Sequence, residues 1–512
     1  KHMRGAAGRS MDLKRTKLPR YSEFTDVDAA SNGAASSGRA PWSGGRSPRR
    51  ADAADQPGFY GGGFQHKHWV LFLCTSMVLC EWVDRSALSV AMQSIKEEFR
   101  LSDTQTGVMA SASLWAVPLA VVLLGRLSDH VPRARLLGAG VFGWGAFTLA
   151  TGCATSFRSL VLIRVCSGVS NSAGFPVALS LVADLFGAAE MTTALGYFHA
   201  GSSLGGLLGL ALGGRLVTGL GWRWAFWLLG APQLALAGLL LATVREPPRA
   251  PPAGACCGRW ARDLGRLLRL ASFRCLALGA LALGAAAGTH RFTSAFVQRA
   301  HHVDARTFGA VFGTALGLTG AVSGWAGGHA VDWALGAAGG DHRVLLWCAA
   351  LGELVIAAAT GGAYLAPSFG LLVAFAVLAV AGSSLTRGID TAGQLLARGR
   401  RGTAQSLLET AWSVGMGIGP FLTGVASDAL RRSGACGADA GCGLRRALLL
   451  VGGICQLARL AAYLLAARHL RQSMAAIARE EEEDDAPTGE ERSTELGSSS
   501  TAVAHAAPGV GT

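Results

Sequence analysis

Long apolar blocks alternate along this chain with short charged loops. Each block holds about twenty residues with almost no charge, the length a helix needs to cross about 30 Å of hydrocarbon. Helices of soluble proteins instead confine their apolar residues to one stripe. The pattern predicts an all-α membrane protein with twelve spans, at residues 69–92, 105–125, 136–155, 159–183, 192–217, 223–244, 275–298, 307–329, 343–365, 369–393, 404–427 and 446–467.

A polar interval after the sixth span divides the chain into two six-helix bundles. Both tails lack long apolar runs and are rich in small, polar or acidic residues, so we expect them to be disordered and cytosolic. The predicted segments are an N-terminal tail at 1–66, bundles at 67–244 and 273–468, a basic central loop at 245–272 and an acidic tail at 469–512.

The central loop has a helical pattern of its own. Arg259, Arg262, Arg266 and Arg269 fall on one face of a helix, which predicts an amphipathic helix on an anionic leaflet. A plain basic linker is the alternative.

Charge is scarce and unevenly placed. Only 15% of residues are charged, with 46 Lys and Arg against 33 Asp and Glu. The bases gather in loops and tails, and their distribution places both termini in the cytosol. Without a compact basic domain, nucleic acid is not an expected partner.

No P-loop, zinc-binding helix or nucleophile elbow is present in the sequence. We therefore expect that the protein is not an enzyme and that it binds no cofactor or metal. We also expect a monomer in the bilayer.

The two halves repeat each other. Span two ends in Gly125-Arg-Leu-Ser-Asp129, and span eight ends in Gly328-His-Ala-Val-Asp332. Two rows of glycines at every fourth residue allow close backbone approach. Such rows fit either general helix packing or a seam between halves that move. They comprise Gly201, Gly205, Gly209 and Gly213 in span five, and Gly309, Gly313 and Gly317 in span eight.

The segment that starts at Gly125 and continues through Asp129, Arg133 and Arg135 resembles the signature between helices two and three of the major facilitator superfamily. The resemblance covers about residues 68–470. It implies two pseudo-symmetric six-helix bundles that expose a central cavity alternately to each side. We assign Gly125, Asp129, Arg133, Arg135 and Asp332 to a gate at the cytosolic ends.

Within that superfamily, the chain resembles two branches. The stretches 101–105, 180–186, 221–226, 244–249, 417–420 and 427–428 look like the Spinster branch, whereas 84–91 and 174–176 look like the anion:cation symporters. Spinster-like transporters carry lysophospholipids or sphingoid phosphates, often with protons; the symporters carry organic acids, sugar acids or phosphate. Both branches usually have a glutamate seven residues after the helix-four arginine, where this chain has Asn171 after Arg164.

Charged residues inside spans are the strongest functional candidates, because each costs about 2.5–3.5 kcal/mol at mid-membrane unless paired or hydrated. In span one, Glu81 and Arg85 are four residues apart and can pair. Asp84 then faces elsewhere and is the leading candidate for proton binding, with Glu81 second. Alternatively, Asp84 is a structural partner of Arg85 or Arg164.

Arg164 and Asn171 lie two turns apart on one face of span four. With Arg85, they are candidate ligands for a carboxylate or phosphate, although Arg164 could instead brace Glu81 or Asp84. His290 and Arg291 lie beyond the middle of span seven. His290 could replace the missing carboxyl as proton carrier and Arg291 could bind substrate; the alternative is a hydrated position near the outer mouth.

We therefore expect a secondary active transporter, coupled to protons, for an amphiphilic anion such as a lysophospholipid or sphingoid phosphate. An organic-anion or phosphate symporter of the same fold is the main alternative. A membrane sensor that binds ligand without transport is an alternative of another class.

Overall fold

The computed structural model describes residues 66–484, apart from 173, 187, 246–255, 340, 388, 390–391, 394–395, 398–400, 435 and 437–440. Apart from its last residue, the predicted N-terminal tail lies outside the described residues, as does the chain after 484. All regular elements within these ranges are helices.

Six spans form the N-terminal half. Helices α4 and α5 together make the fourth span. The elements are α1 His66–Phe99, α2 Asp103–His130, α3 Arg133–Gly152, α4 Phe157–Asn171, α5 Gly174–Leu185, α6 Ala188–Gly219 and α7 Trp222–Thr243.

The C-terminal half repeats this arrangement after a short helix. A 3₁₀ turn, His290–Phe292, joins α9 to α10 within one span, and a second turn, Ser384–Arg387, continues α13. The elements are α8 Cys256–Arg269, α9 Ala271–Thr289, α10 Thr293–Ala300, α11 Ala305–Ala337, α12 Arg343–Leu365, α13 Phe369–Ser383, α14 Arg401–Arg432 and α15 Cys442–Asp484.

Each of the twelve predicted spans has a helix, so the two-bundle all-α membrane fold is confirmed. Eight of the described helical segments are by themselves long and apolar enough to cross a membrane. The helix of span one is not among those eight and carries Glu81, Asp84 and Arg85 near its middle.

One predicted boundary differs from the structure. The sequence predicts an acidic tail from 469, whereas α15 continues to Asp484. The extension of α15 is held by an ion pair of 2.7 Å from Arg471 to Asp341 and by a hydrogen bond between Ser473 and Ser272. The central loop contains α8 where the sequence predicts a helix, and Leu267 of α8 packs into the core of the C-terminal half.

The halves meet along two helix pairs, α2 with α14 and α6 with α11. The glycine row of α11 belongs to this seam, because a Cβ on Gly309 would collide with the Leu210 carbonyl of α6. The row in α6 does not. A Cβ on Gly205 would meet the Leu79 carbonyl of α1, so that row packs within its own half, and the seam interpretation is wrong for it.

Candidate functional site

The predicted charges of the first bundle converge where α1 packs near α4. On α1, Arg85 pairs with Glu81 at 2.5 Å, one turn apart as the i,i+4 spacing predicts. From α4, the Asn171 amide donates a hydrogen bond of 2.8 Å to the same Glu81 carboxylate. Glu81 is therefore already engaged by two partners.

Asp84 and Arg164 form a second, looser pair. Their nearest atoms are 3.4 Å apart, and each residue is only 2% exposed. The structural-partner alternative for Asp84 thus agrees with the geometry. Even so, Asp84 Oδ1 and Arg164 Nε have no hydrogen-bond partner among the described residues. One acceptor and one donor stay available at the centre of the cluster.

These five side chains line one pocket. It has a volume of about 30 Å³, room for one or two water molecules. Part of its wall is apolar and comes from α2 and α3, namely Leu114, Val117 and Trp144. The charged groups therefore adjoin hydrocarbon surface, an arrangement that suits the polar end of a larger molecule.

Arg291 approaches the cluster from the opposite half. It lies in the 3₁₀ turn between α9 and α10, is buried, and donates to the Ala110 carbonyl of α2 at 3.0 Å. It interacts electrostatically with Arg85 and Arg164. Glu81, Asp84, Arg85 and Arg164 line the pocket. With Arg291 within electrostatic range, the region holds three guanidinium groups and two carboxylates, an excess of one positive charge.

His290, the neighbouring residue, points elsewhere. Its side chain is exposed, and Nδ1 lies 2.8 Å from the Tyr364 hydroxyl of α12. The same hydroxyl lies 3.0 Å from Thr293. His290 therefore lies in the C-terminal half, outside the Glu81–Asp84 pocket.

The predicted gate residues are only partly described. Gly125 and Asp129 lie in α2, in a segment whose side-chain environment is outside the part that the structure describes. Arg133 begins α3 and donates to Ser180 Oγ of α5 at 2.6 Å. Arg135 and Asp332 are exposed.

A cluster that sequence reasoning missed joins the halves at the opposite end of the helices. Asp103, the first residue of α2, is fully buried and is paired with Lys96 and with Arg299 of α10, the latter at 2.9 Å. Ser427 of α14 donates to it at 2.7 Å. We call Asp103, Arg299, Ser427 and Asp428 the Asp103 latch.

Asp428 completes the latch by capping α2 from across the seam. Its carboxylate accepts hydrogen bonds from the backbone amides of Asp103 and Thr104, at 3.1 and 2.8 Å, and from Thr104 Oγ1 at 2.6 Å. A carboxylate at a helix N terminus satisfies free amides and complements the helix dipole. These contacts tie the two halves together at this end.

A second missed feature is the buried ion pair between Glu353 of α12 and Arg459 of α15, at 2.8 Å. Its signal was present in the sequence, because an arginine within the last apolar span needs a partner. Among the described residues, no group of three or more His, Cys, Asp or Glu side chains is placed to hold a metal ion.

Comparison with known proteins places these features in a family context. Residues 74–352 match the family model of the Major Facilitator Superfamily. An MFS-type efflux pump of Mycolicibacterium smegmatis is 30% identical over 402 residues, covering 78% of this chain and 92% of the pump. A probable L-galactonate transporter of Escherichia coli is 31% identical, over only 30% of this chain and 34% of its own length.

Among solved structures, the chain resembles a bacterial homolog of the human lysosomal transporter Spinster in an inward-facing, unoccupied conformation. The TM-score is 0.70 at 23% identity, over 80% of this chain and 99% of that one. The likeness extends through both bundles.

Proposed function

Because this chain belongs to the Major Facilitator Superfamily, we propose that it is a secondary active transporter that moves an amphiphilic anion by alternating access. It is a transporter and not an enzyme. The observation that carries the proposal for the substrate is the excess positive charge among Glu81, Asp84, Arg85, Arg164 and Arg291, contributed by both halves.

The charge excess favours an anion for an electrostatic reason. A buried positive charge without a counter-ion is costly, and a carboxylate or phosphate offsets that cost. Arg164 Nε has no partner among the described residues and lines the pocket. Its planar donor group suits such an oxyanion.

The pocket also favours a substrate with an apolar body. Its charged side chains adjoin Leu114, Val117 and Trp144, and its volume accommodates only a small polar group. A lysophospholipid or sphingoid phosphate has its charge at one end and hydrocarbon beyond it. The stretches of the sequence that resemble the Spinster branch, such as 180–186 and 221–226, imply the same substrate class.

Alternating access needs one end of the seam closed while the other opens. The Asp103 latch closes the end where α1 finishes and α2 begins. With both termini in the cytosol, that end is the non-cytosolic side. Gly125, Asp129, Arg133, Arg135 and Asp332 then form the opposing cytosolic gate.

Proton coupling is proposed through Asp84, with Glu81 and His290 as further carriers. Asp84 Oδ1 is buried and without a described partner, so a proton there competes with Arg164 for the same carboxylate. Asn171 cannot titrate. It holds Glu81 by its amide hydrogen bond.

Transport by purified protein in liposomes under an imposed pH gradient tests the proposal. A labelled lysophospholipid is compared with a panel of small organic anions. Lipid movement that follows the gradient is the expected result. If neither lipid nor anion moves although ligand binds, the protein is a sensor and the proposal fails.

A small organic or sugar acid is the second candidate substrate. The L-galactonate transporter that the chain resembles over part of its length supports it, and the arginine cluster would bind a carboxylate equally well. Accumulation of such anions without lipid movement would establish this alternative.

A further inference from the structure

A cavity between α12 and α15 lies apart from the charged cluster. Its volume is about 230 Å³. Both helices pack against other elements of the C-terminal half. The outer side of α15 is strongly apolar, with Leu457 at the cavity 66% exposed. In a membrane protein this side faces lipid, so the cavity is a crevice that opens to the bilayer.

Three glycines keep this crevice open. At Gly361, Gly452 and Gly453, an added Cβ would meet nothing within 4 Å. The seam glycines differ, since a Cβ on Gly309 would collide with backbone. Close helix packing therefore does not explain the crevice glycines, and their missing side chains leave space instead.

The inner wall of the crevice holds an unpaired polar atom. Gln456 is 2% exposed and lines the cavity. Its amide nitrogen lies 3.4 Å from Thr360 Oγ1, whereas its Oε1 has no hydrogen-bond partner among the described residues. Leaving a buried acceptor unsatisfied is unfavourable, so a hydrogen-bond donor is favoured at Gln456 Oε1.

The charge of the residues around the crevice determines which class of hydrogen-bond donor can bind there. Glu353 and Arg459, on the same two helices, pair with each other at 2.8 Å. Arg445 and Arg446 lie one turn before Leu448, at one end of the crevice. The lining itself contains no charged side chain and is mostly aliphatic or glycine, so the crevice offers one acceptor, Gln456 Oε1, in an apolar setting.

We propose that this crevice binds a neutral membrane lipid through a free hydroxyl, which donates to Gln456 Oε1 while the hydrocarbon body lies over Gly452 and Gly453. The ligand class is a lipid alcohol such as a sterol. Its neutrality separates it from the anion proposed as transported substrate, and its site lies on the lipid-facing side of the bundle.

Photolabelling of the full chain in phosphatidylcholine liposomes tests this proposal. The probe is a diazirine-bearing sterol with a free hydroxyl. Saturable labelling within 357–364 and 448–457 is expected, with competition by unlabelled sterol and not by its methyl ether. Equal competition by the ether, or labelling spread over the lipid-facing helices, would overturn it.

Four substitutions test whether the labelling depends on the crevice. Gly452→Leu adds a side chain where a Cβ meets nothing within 4 Å and should abolish labelling, and Gly361→Leu is a second filling variant in case the first misfolds. Gly238→Leu, at an exposed glycine of α7 with equally open space, is the matched control. Gln456→Leu should weaken sterol binding about fivefold, the loss of one hydrogen bond. Undiminished labelling in folded filling variants would refute the site.

Discussion

Asp84 and Arg164 meet at 3.4 Å although 80 residues separate them along the chain. Both are buried, and each retains one polar atom without a described partner. The pair is therefore incompletely satisfied, unlike the shorter contact between Glu81 and Arg85. A buried carboxylate with one free oxygen can exchange its arginine partner for a proton, which makes this pair the centre of the proposed coupling.

Replacing Asp84 by Asn should remove uphill transport. A gradient of one pH unit coupled to one proton supports about tenfold accumulation of substrate, and the variant should accumulate none above equilibrium. Exchange of substrate across the liposome membrane should persist. Asp304→Asn, at an exposed position to which no role in transport is assigned, is the control. Wild-type accumulation in the Asp84 variant would remove this carboxyl from the mechanism.

His290→Ala should flatten the pH dependence of transport, because the variant lacks the imidazole proposed as a proton carrier. Tyr364→Phe removes the hydroxyl that contacts Nδ1 but leaves the imidazole in place. That variant should shift the profile without abolishing it. A pH profile in His290→Ala that superimposes on the wild type would mean that the exposed ring is merely hydrated.

Neutralising the latch should open the end of the seam that is closed here. Asp103→Asn leaves Arg299 and Lys96 without their shared counter-charge, and a buried unpaired charge is strongly destabilising. A cysteine introduced as Thr106→Cys, fully buried in this conformation, should then react several-fold faster with a membrane-impermeant thiol reagent in a cysteine-free background. Asp304→Asn, exposed at the start of α11, should not change that rate. Equal rates in all three proteins would argue against the latch.

Breaking the buried pair of the C-terminal half should lower stability. Glu353→Leu strands Arg459, with an expected loss of about 3–5 kcal/mol. The double variant with Arg459→Met removes both charges and should recover most of that loss. Thermal unfolding of the purified protein measures both effects. Additive losses in the double variant would show that the two residues do not act as a pair.

The sequence determined the helices, because the bilayer requires each spanning segment to satisfy its backbone internally with about twenty apolar residues. Composition alone therefore located each span. It also identified the charges that the hydrocarbon makes costly. For this reason Glu81, Asp84, Arg85 and Arg164 are predictable as site residues from the sequence. Asn171 is predictable only from the family resemblance, through its position seven residues after Arg164.

The tertiary structure determines which side chain each charged residue contacts. Helical periodicity paired Glu81 with Arg85 within α1, but nothing local joins Asp103 to Arg299 or Asp428 to the start of α2, since those contacts cross the seam. The same limit applies to glycine rows. Spacing shows that Gly205 and Gly309 permit close approach, yet only packing of the bundles settles that one faces α1 and the other faces the opposite half. Backbone periodicity acts over a few residues, whereas these contacts depend on how whole helices are arranged.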